Sequence, residues 1–77
     1  MGKTKKQKLQ SCMQNAMNIG AEHFYVFVKH EDYEGLEIII NPKENFADKL
    51  KYYMEAYDDD LVLKNCNKIK IVSFMHR

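Results

Sequence analysis

Three consecutive aspartates, Asp58, Asp59 and Asp60, form the densest group of possible metal ligands in the chain, and Tyr57 precedes them. Carboxylate oxygens bind hard cations such as Ca²⁺. Adjacent side chains point in different directions, however, and the sequence lacks the central glycine and terminal glutamate of a calcium-binding loop. We therefore expect no metal site. Two interpretations remain, a solvated loop that ends a helix or an acidic surface that binds arginines of a partner protein.

No pattern in the sequence is typical of catalysis. His23, His30 and His76 fall at the ends of predicted strands, where exposed histidines are common and a shared site is the alternative. No serine or cysteine stands in a recognisable arrangement with a histidine and an acid, and the glycines are isolated rather than grouped in a phosphate-binding loop. We expect no enzymatic activity and no cofactor.

Four lysines near the N-terminus are candidates for contact with nucleic acid: Lys3, Lys5, Lys6 and Lys8. Lysines neutralise phosphates, and aromatic side chains on a sheet can stack on bases. A net charge of +1 is nevertheless low for a dedicated DNA-binding protein, and acidic residues around the predicted strands would repel a phosphate backbone. Binding of nucleic acid is therefore the alternative function, and a solubilising tail is the simpler interpretation of these lysines.

The length and composition predict one small domain. A chain of 77 residues, 45% of them hydrophobic, can bury only about 60% of the surface that its unfolded form exposes. We expect a basic, flexible segment over residues 1–7 and a single domain over residues 8–77. Cys12 and Cys66 lack a metal-binding spacing, and no apolar run approaches the roughly 18 to 20 residues that span a bilayer. These features favour the cytoplasm and no membrane contact.

Hydrophobic periodicity predicts two helices and three strands. One helix begins at Lys8 and ends at Gly20, and the second begins near Phe46 after a turn at residues 41–44. The strands are predicted at residues 23–30, 36–41 and 68–75. The order α-β-β-α-β indicates a two-layer α+β sandwich, with a three-stranded, largely antiparallel sheet and both helices on one face.

The second face of this sheet has no predicted element to cover it. On the helix-facing side, alternation places Phe24, Val26, Val28, Leu36, Ile38 and Ile40. On the uncovered side, it places Tyr25, Phe27, Ile39, Val72 and Phe74. An exposed apolar face of this kind usually marks an interaction site, so we expect a partner protein or a second copy of the chain to bind there. The alternative is a register displaced by one residue, which would exchange the two faces.

The C-terminal half, residues 41–74, resembles a group of short, mostly uncharacterised proteins of bacteriophages and other mobile elements of Firmicutes. The similarity lies in NPKENFADKLKYYMEAYDDDLVLK, with its asparagine-proline turn, aromatic helix and aspartates, and in the final strand IKIVSF. It implies that the protein acts by occupying a surface of a host complex, as small anti-defence proteins do. It assigns no catalytic residue.

Taken together, these features predict a non-enzymatic interaction protein in the host bacterial cell. We expect it to bind and inhibit or modulate a host protein complex, such as a CRISPR or other nuclease-based defence effector. The predicted contacts are the uncovered sheet face and the acidic segment from Tyr57 to Asp60. A homodimer is compatible with this function and with the nucleic-acid alternative.

Overall fold

The structure, a computed structural model, describes residues 2–77 and confirms the predicted α+β fold. Its elements are α1 (Lys5–Asn18), β1 (His23–His30), β2 (Glu37–Pro42), α2 (Phe46–Ala56) and β3 (Ile69–His76), with a short 3₁₀ turn at Lys43–Asn45. The strands form one antiparallel sheet in the order β2-β1-β3. Neither helix in this part of the chain has the length and apolar character needed to cross a membrane.

Helix α1 begins at Lys5, earlier than the predicted start at Lys8, because Thr4 caps it. The Thr4 hydroxyl accepts the backbone N–H of Gln7 at 3.1 Å, and the Gln7 side chain accepts the backbone N–H of Thr4 at 2.9 Å. This reciprocal pair is a capping box, which satisfies donors that a helix start leaves free. The segment expected to be flexible therefore supplies the first turn of α1, while its first residue, Met1, lies outside the described residues.

The predicted end of α1 at Gly20 is confirmed. Gly20 has φ +73°, a left-handed conformation that glycine adopts without a side-chain clash. The backbone N–H of Gly20 donates to the carbonyl of Met17, and that of Ala21 donates to the carbonyl of Ala16 at 2.9 Å. This is the Schellman arrangement, and it turns the chain back toward the sheet.

Both helices pack on the same face of the sheet. The core contains Leu9, Met13 and Ala16 of α1, Phe46 and Tyr53 of α2, Phe24, Val26 and Val28 of β1, and Ile71 of β3. Spacings of three and four residues bring the helical members onto single stripes, and alternation does the same for the β1 members. Each helix therefore directs one apolar stripe toward the sheet.

The registers of the outer strands decide which side chains face the helices. In β2, Ile39 lies opposite Val26, so Ile39 shares the helix-covered face and its neighbours Ile38 and Ile40 lie on the other. In β3, the register shifts at Phe27 and Val28, where one additional residue forms a β-bulge. Downstream of this bulge, Phe74 lies opposite Val26 and stacks on Phe24, with ring centroids 6.2 Å apart.

Asn41 is the one buried polar residue in the described core, with 1% of its surface exposed. Its side-chain amide donates to the carbonyl of Phe24 and to the hydroxyl of Tyr53, each at 3.2 Å. These bonds join β2 to β1 and to α2. Because buried polar groups cost free energy unless they are paired, Asn41 fixes how α2 sits on the sheet.

We predict that Asn41→Ala lowers the free energy of unfolding by about 1 to 3 kcal/mol, because it removes both hydrogen bonds and leaves the Tyr53 hydroxyl without this partner. Urea denaturation followed by circular dichroism measures the change. Asn15→Ala is the matched control, since Asn15 is exposed on α1, where alanine is favoured. Equal unfolding free energies for the two variants would contradict this role of Asn41.

Candidate interaction surface

The sheet face opposite the helices, here called the open face, carries a contiguous set of apolar side chains. Its members are Tyr25, Phe27, Ile38, Ile40 and Met75. Tyr25 lies between Ile40 and Met75 in the register, and Phe27 lies beside Ile38. The exposed fraction is 59% for Ile40 and 55% for Ile38, while Tyr25 and Phe27 are partly covered by these neighbours. Two aromatic rings thus form the centre of the surface, and aliphatic side chains surround them.

The open face agrees only partly with the prediction from sequence. Tyr25 and Phe27 lie on it as expected, whereas Val72 is the additional residue of the β3 bulge and has no partner in the β1 register. The predicted placement of Ile39 and Phe74 is wrong, because both pack against the core on the helix-covered face. The hairpin register accounts for Ile39, and the bulge in β3 accounts for Phe74.

The predicted placement of Ile38 and Ile40 on the helix-facing side is wrong, and Met75 was not predicted as a member of the open face. The run Ile38-Ile39-Ile40 is apolar throughout, so its alternation does not indicate which residues face the helices. A signal for Met75 lay in the apolar pair Ile71-Val72, which interrupts the alternation of apolar and polar residues in β3. An interruption of this kind is typical of a bulge, which shifts every later residue of a strand to the opposite face.

Positive charge borders the open face at one end. Lys29 and Lys70 lie directly opposite each other on neighbouring strands, on the same side as Phe27. Like charges in such a cross-strand pair repel, and a bound anionic group would relieve that repulsion. Asp32, in the hairpin turn, pairs with Lys68 at 3.1 Å instead.

A cavity of about 260 Å³ lies beside the edge of β3 and joins this basic region to α1. Lys5, Lys8 and Lys70 line it together with Asp60, and its apolar wall consists of Leu61, Ile71, Val72 and Phe74. Two of the four predicted lysines therefore lie near the sheet. Of the other two, Lys3 donates its ammonium group to the Ser11 hydroxyl at 2.8 Å, and Lys6 donates its backbone N–H to the carbonyl of Asp59.

The predicted acidic segment is not a uniform surface. Tyr57 is 4% exposed and belongs to the core, so its expected role in partner binding is not compatible with its position. One carboxylate oxygen of Asp58 accepts the backbone N–H groups of Asp60 at 2.9 Å and Val62 at 3.0 Å. Asp58 therefore holds a turn, and only Asp59 and Asp60 present exposed side chains.

This turn places an apolar side chain into the core. Leu61 has φ +63°, an unfavourable conformation for a residue with a branched side chain, and only 2% of its surface is exposed. Its backbone N–H donates to the carbonyl of Asp58 at 2.9 Å, and its carbonyl accepts the N–H of Ile71 in β3. Burial of Leu61 offsets the strain, and the Asp58 side chain stabilises the bend.

The tyrosines of α2 and the residue after it form an aromatic cluster. Tyr52, Tyr53 and Tyr57 have ring centroids 5.5 to 6.3 Å apart. Burial, reinforced by the two neighbouring tyrosines and Glu37, raises the pKa of Tyr57 to about 12. Its hydroxyl is therefore neutral at physiological pH, which fits a core residue and not a proton-transfer group.

The histidines do not form a shared site. His23 and His30 occupy opposite ends of β1, roughly 23 Å apart at the usual rise per residue. His76 pairs with Phe24 and not with either histidine, while the His30 ring accepts the backbone N–H of Asp32 at 3.2 Å. Across residues 2–77, no group of three histidine, cysteine, aspartate or glutamate side chains is arranged to hold a metal ion.

Both cysteines are free thiols, and both are partly buried. Burial raises the pKa of the Cys12 thiol, which disfavours the nucleophilic thiolate. Comparisons of the chain with protein-family models, with curated proteins and with solved structures found no match.

We predict that Asp58→Ala lowers the free energy of unfolding by about 1 to 3 kcal/mol, because two backbone N–H groups lose their acceptor. Thermal or urea unfolding gives the value. Asp59→Ala is the matched control, since the neighbouring side chain is exposed and should contribute less than about 0.5 kcal/mol. If Asp59→Ala were as destabilising as Asp58→Ala, the stabilising role of the Asp58 carboxylate would be refuted.

Proposed function

We propose that this chain is a non-enzymatic interaction protein that binds a partner protein through the open face. The observation that supports the proposal is the contiguous apolar surface centred on Tyr25 and Phe27, with three aliphatic or thioether side chains around them. Small proteins rarely leave such a surface to solvent unless another molecule covers it. Aromatic and methionine side chains are also the types that protein interfaces favour.

Apolar contact and charge have separate roles in this proposal. Desolvation of the open face provides affinity, and the aromatic pair supplies the rigid centre at which binding energy concentrates. Lys29 and Lys70, with Lys5 and Lys8 beyond them, attract acidic groups and orient the partner. The surface of the partner that fits this arrangement is therefore an apolar patch with carboxylates along one side. In this proposal the basic border takes the place of the predicted acidic contact. Asp58 and Tyr57, which were part of that contact, have structural roles instead.

The partner predicted from the resemblance of residues 41–74 is a complex of a bacterial host cell, with CRISPR and other nuclease-based defence effectors as the leading class. A stoichiometric inhibitor of such an effector needs no catalytic group. It needs a surface that competes with the effector's substrate or blocks its movement. An apolar face with a charged border meets this requirement, by analogy with other inhibitors that bind through a surface.

We predict that Ile40→Lys weakens partner binding at least about tenfold, because it places an ammonium group next to the Tyr25 ring within the apolar surface that the partner covers. Affinity purification from host lysate, followed by mass spectrometry and titration of the recovered partner, measures the effect. Ile19→Lys is the control, since Ile19 is as exposed as Ile40 but lies at the end of α1, away from the open face.

Circular dichroism should show native helix content for both variants, because neither position is buried. Unchanged recovery of the partner with a folded Ile40→Lys variant would refute binding through the open face. Nuclease treatment of the lysate provides a second comparison. Recovery that persists after treatment supports direct protein contact, whereas recovery that disappears indicates a nucleic-acid bridge.

The second candidate function is binding of single-stranded nucleic acid. The observation in its favour is the convergence of Lys5, Lys8 and Lys70 at the β3 edge of a sheet whose open face carries Tyr25 and Phe27. Lysines next to exposed aromatic rings provide phosphate contacts and stacking platforms together. Three phosphate contacts would make the affinity fall with salt, with a slope of log K against log salt near −2.

We predict for this second function that Lys8→Glu weakens binding of a labelled single-stranded oligonucleotide and makes the salt slope shallower, because a phosphate contact is lost. Fluorescence anisotropy at several salt concentrations gives both quantities. Lys51→Glu is the control, since it makes the same change of charge on the exposed side of α2, away from the cavity. It should alter the affinity and the salt slope less than Lys8→Glu does. Binding that is independent of salt, or equal effects of the two variants, would exclude this function.

A further inference from the structure

The direction of the backbone groups in β1 determines which groups of β2 remain free. His23 and Arg77 exchange two backbone hydrogen bonds. The N–H of His23 donates to the carbonyl of Arg77 at 3.3 Å, and the N–H of Arg77 donates to the carbonyl of His23 at 3.0 Å. Odd-numbered residues of β1 up to Phe27 therefore direct their backbone groups toward β3, and even-numbered residues direct theirs toward β2. The bond from Lys43 N–H to the Glu22 carbonyl at 3.0 Å agrees with this alternation.

The β2 residues that lie opposite Phe24, Val26 and Val28 direct their backbone N–H and C=O groups toward β1. The backbone N–H and C=O groups of Ile38 and Ile40 consequently point away from β1, along the outer edge of the sheet. No strand of the described residues pairs with this edge. Both side chains are more than half exposed, and the strand carries no lysine, the residue that commonly protects such edges.

The opposite edge of the sheet differs, because a loop pairs with its first half. Leu63 N–H donates to the carbonyl of Ile69, and Ile71 N–H donates to the carbonyl of Leu61, both at 2.9 Å. The chain thus uses residues 61–63 to cover the start of β3, while the outer edge of β2 has no equivalent. An uncovered strand edge with apolar side chains is a template for the addition of another strand.

We propose that two copies of this chain pair antiparallel through the outer edges of β2 and form a continuous six-stranded sheet. The β2 sequence is complementary to itself in this arrangement. With Ile39 opposite Ile39 of the second copy at the two-fold axis, Ile38 of each copy lies opposite Ile40 of the other. Four backbone hydrogen bonds result, and four isoleucine side chains meet on the open face.

The charges near β2 favour the same antiparallel arrangement. It separates the two Glu37 side chains by about four residues along the strands, because Glu37 of one copy lies opposite Asn41 of the other. A parallel arrangement would set Glu37 against Glu37 and Lys43 against Lys43. Pro42 has no N–H to donate, so it limits the shared ladder to the two pairs of isoleucines.

The test combines sedimentation equilibrium with amide hydrogen exchange on the full chain, from about 1 µM to about 1 mM. We expect a monomer–dimer equilibrium in this range, together with protection of the Ile38 and Ile40 amides that increases with concentration. A chain that stays monomeric throughout would overturn the proposal. A dimer in which these two amides exchange freely would also overturn it, because contact between open faces does not engage the strand edge.

A pair of variants tests the hydrogen bonds themselves. Ile38→Pro removes an outward N–H that β1 does not use, and we expect dimerisation to weaken at least about tenfold, since each dimer loses two hydrogen bonds. Ile38→Thr removes similar apolar contact but keeps the N–H, so its dimer should weaken less. Equal dimer affinity of folded Ile38→Pro and the unmodified chain would refute edge pairing, and the amide measurement remains decisive if that variant fails to fold.

Discussion

Strand β1 determines the arrangement of nearly every other part of this molecule, because it is the central strand of a sheet with only three. Its two-residue alternation sets the direction of the side chains and also the direction of the backbone N–H and C=O groups. Phe24, Val26 and Val28 direct their side chains to the helices and their backbone groups to β2. Tyr25 and Phe27 direct their side chains to the open face and their backbone groups to β3. The core, the open face and both strand registers therefore depend on one alternation.

The size of the chain explains why one face stays open. Two helices of 14 and 11 residues cover one side of the sheet, and the remaining apolar segment, residues 61–63, pairs with the edge of β3. Nothing is left in the described chain for the second side. A larger domain would add a layer there. This chain instead retains isoleucine, methionine and aromatic side chains on a surface in contact with solvent.

The elements were predictable from sequence because their signals are local. The helical stripes, the end of α1 at Gly20 and the limits of β1 each depend on neighbours within a few residues. The side chains of β2 and β3 that face the helices were not predictable in this way. Ile39 and Phe74 take their positions from cross-strand pairing, and the apolar runs that contain them do not specify that pairing. Tyr57 illustrates a different limit at the candidate site. Its spacing of four residues from Tyr53 predicts the buried position that the structure shows, and only its inclusion in the acidic contact segment was wrong.

Side chains of a sheet stand perpendicular to it, whereas backbone groups lie in its plane, so the open face presents side chains and the free edge of β2 presents backbone N–H and C=O groups. Pairing through the edge would leave Tyr25 and Phe27 uncovered and would place two open faces side by side. Such a pair could engage two equivalent sites on a symmetric or repetitive partner, and the second contact would form at high effective concentration. Moderate affinity at each small face would then suffice for a stable complex. A domain of this size could thereby act on a much larger assembly without a larger core.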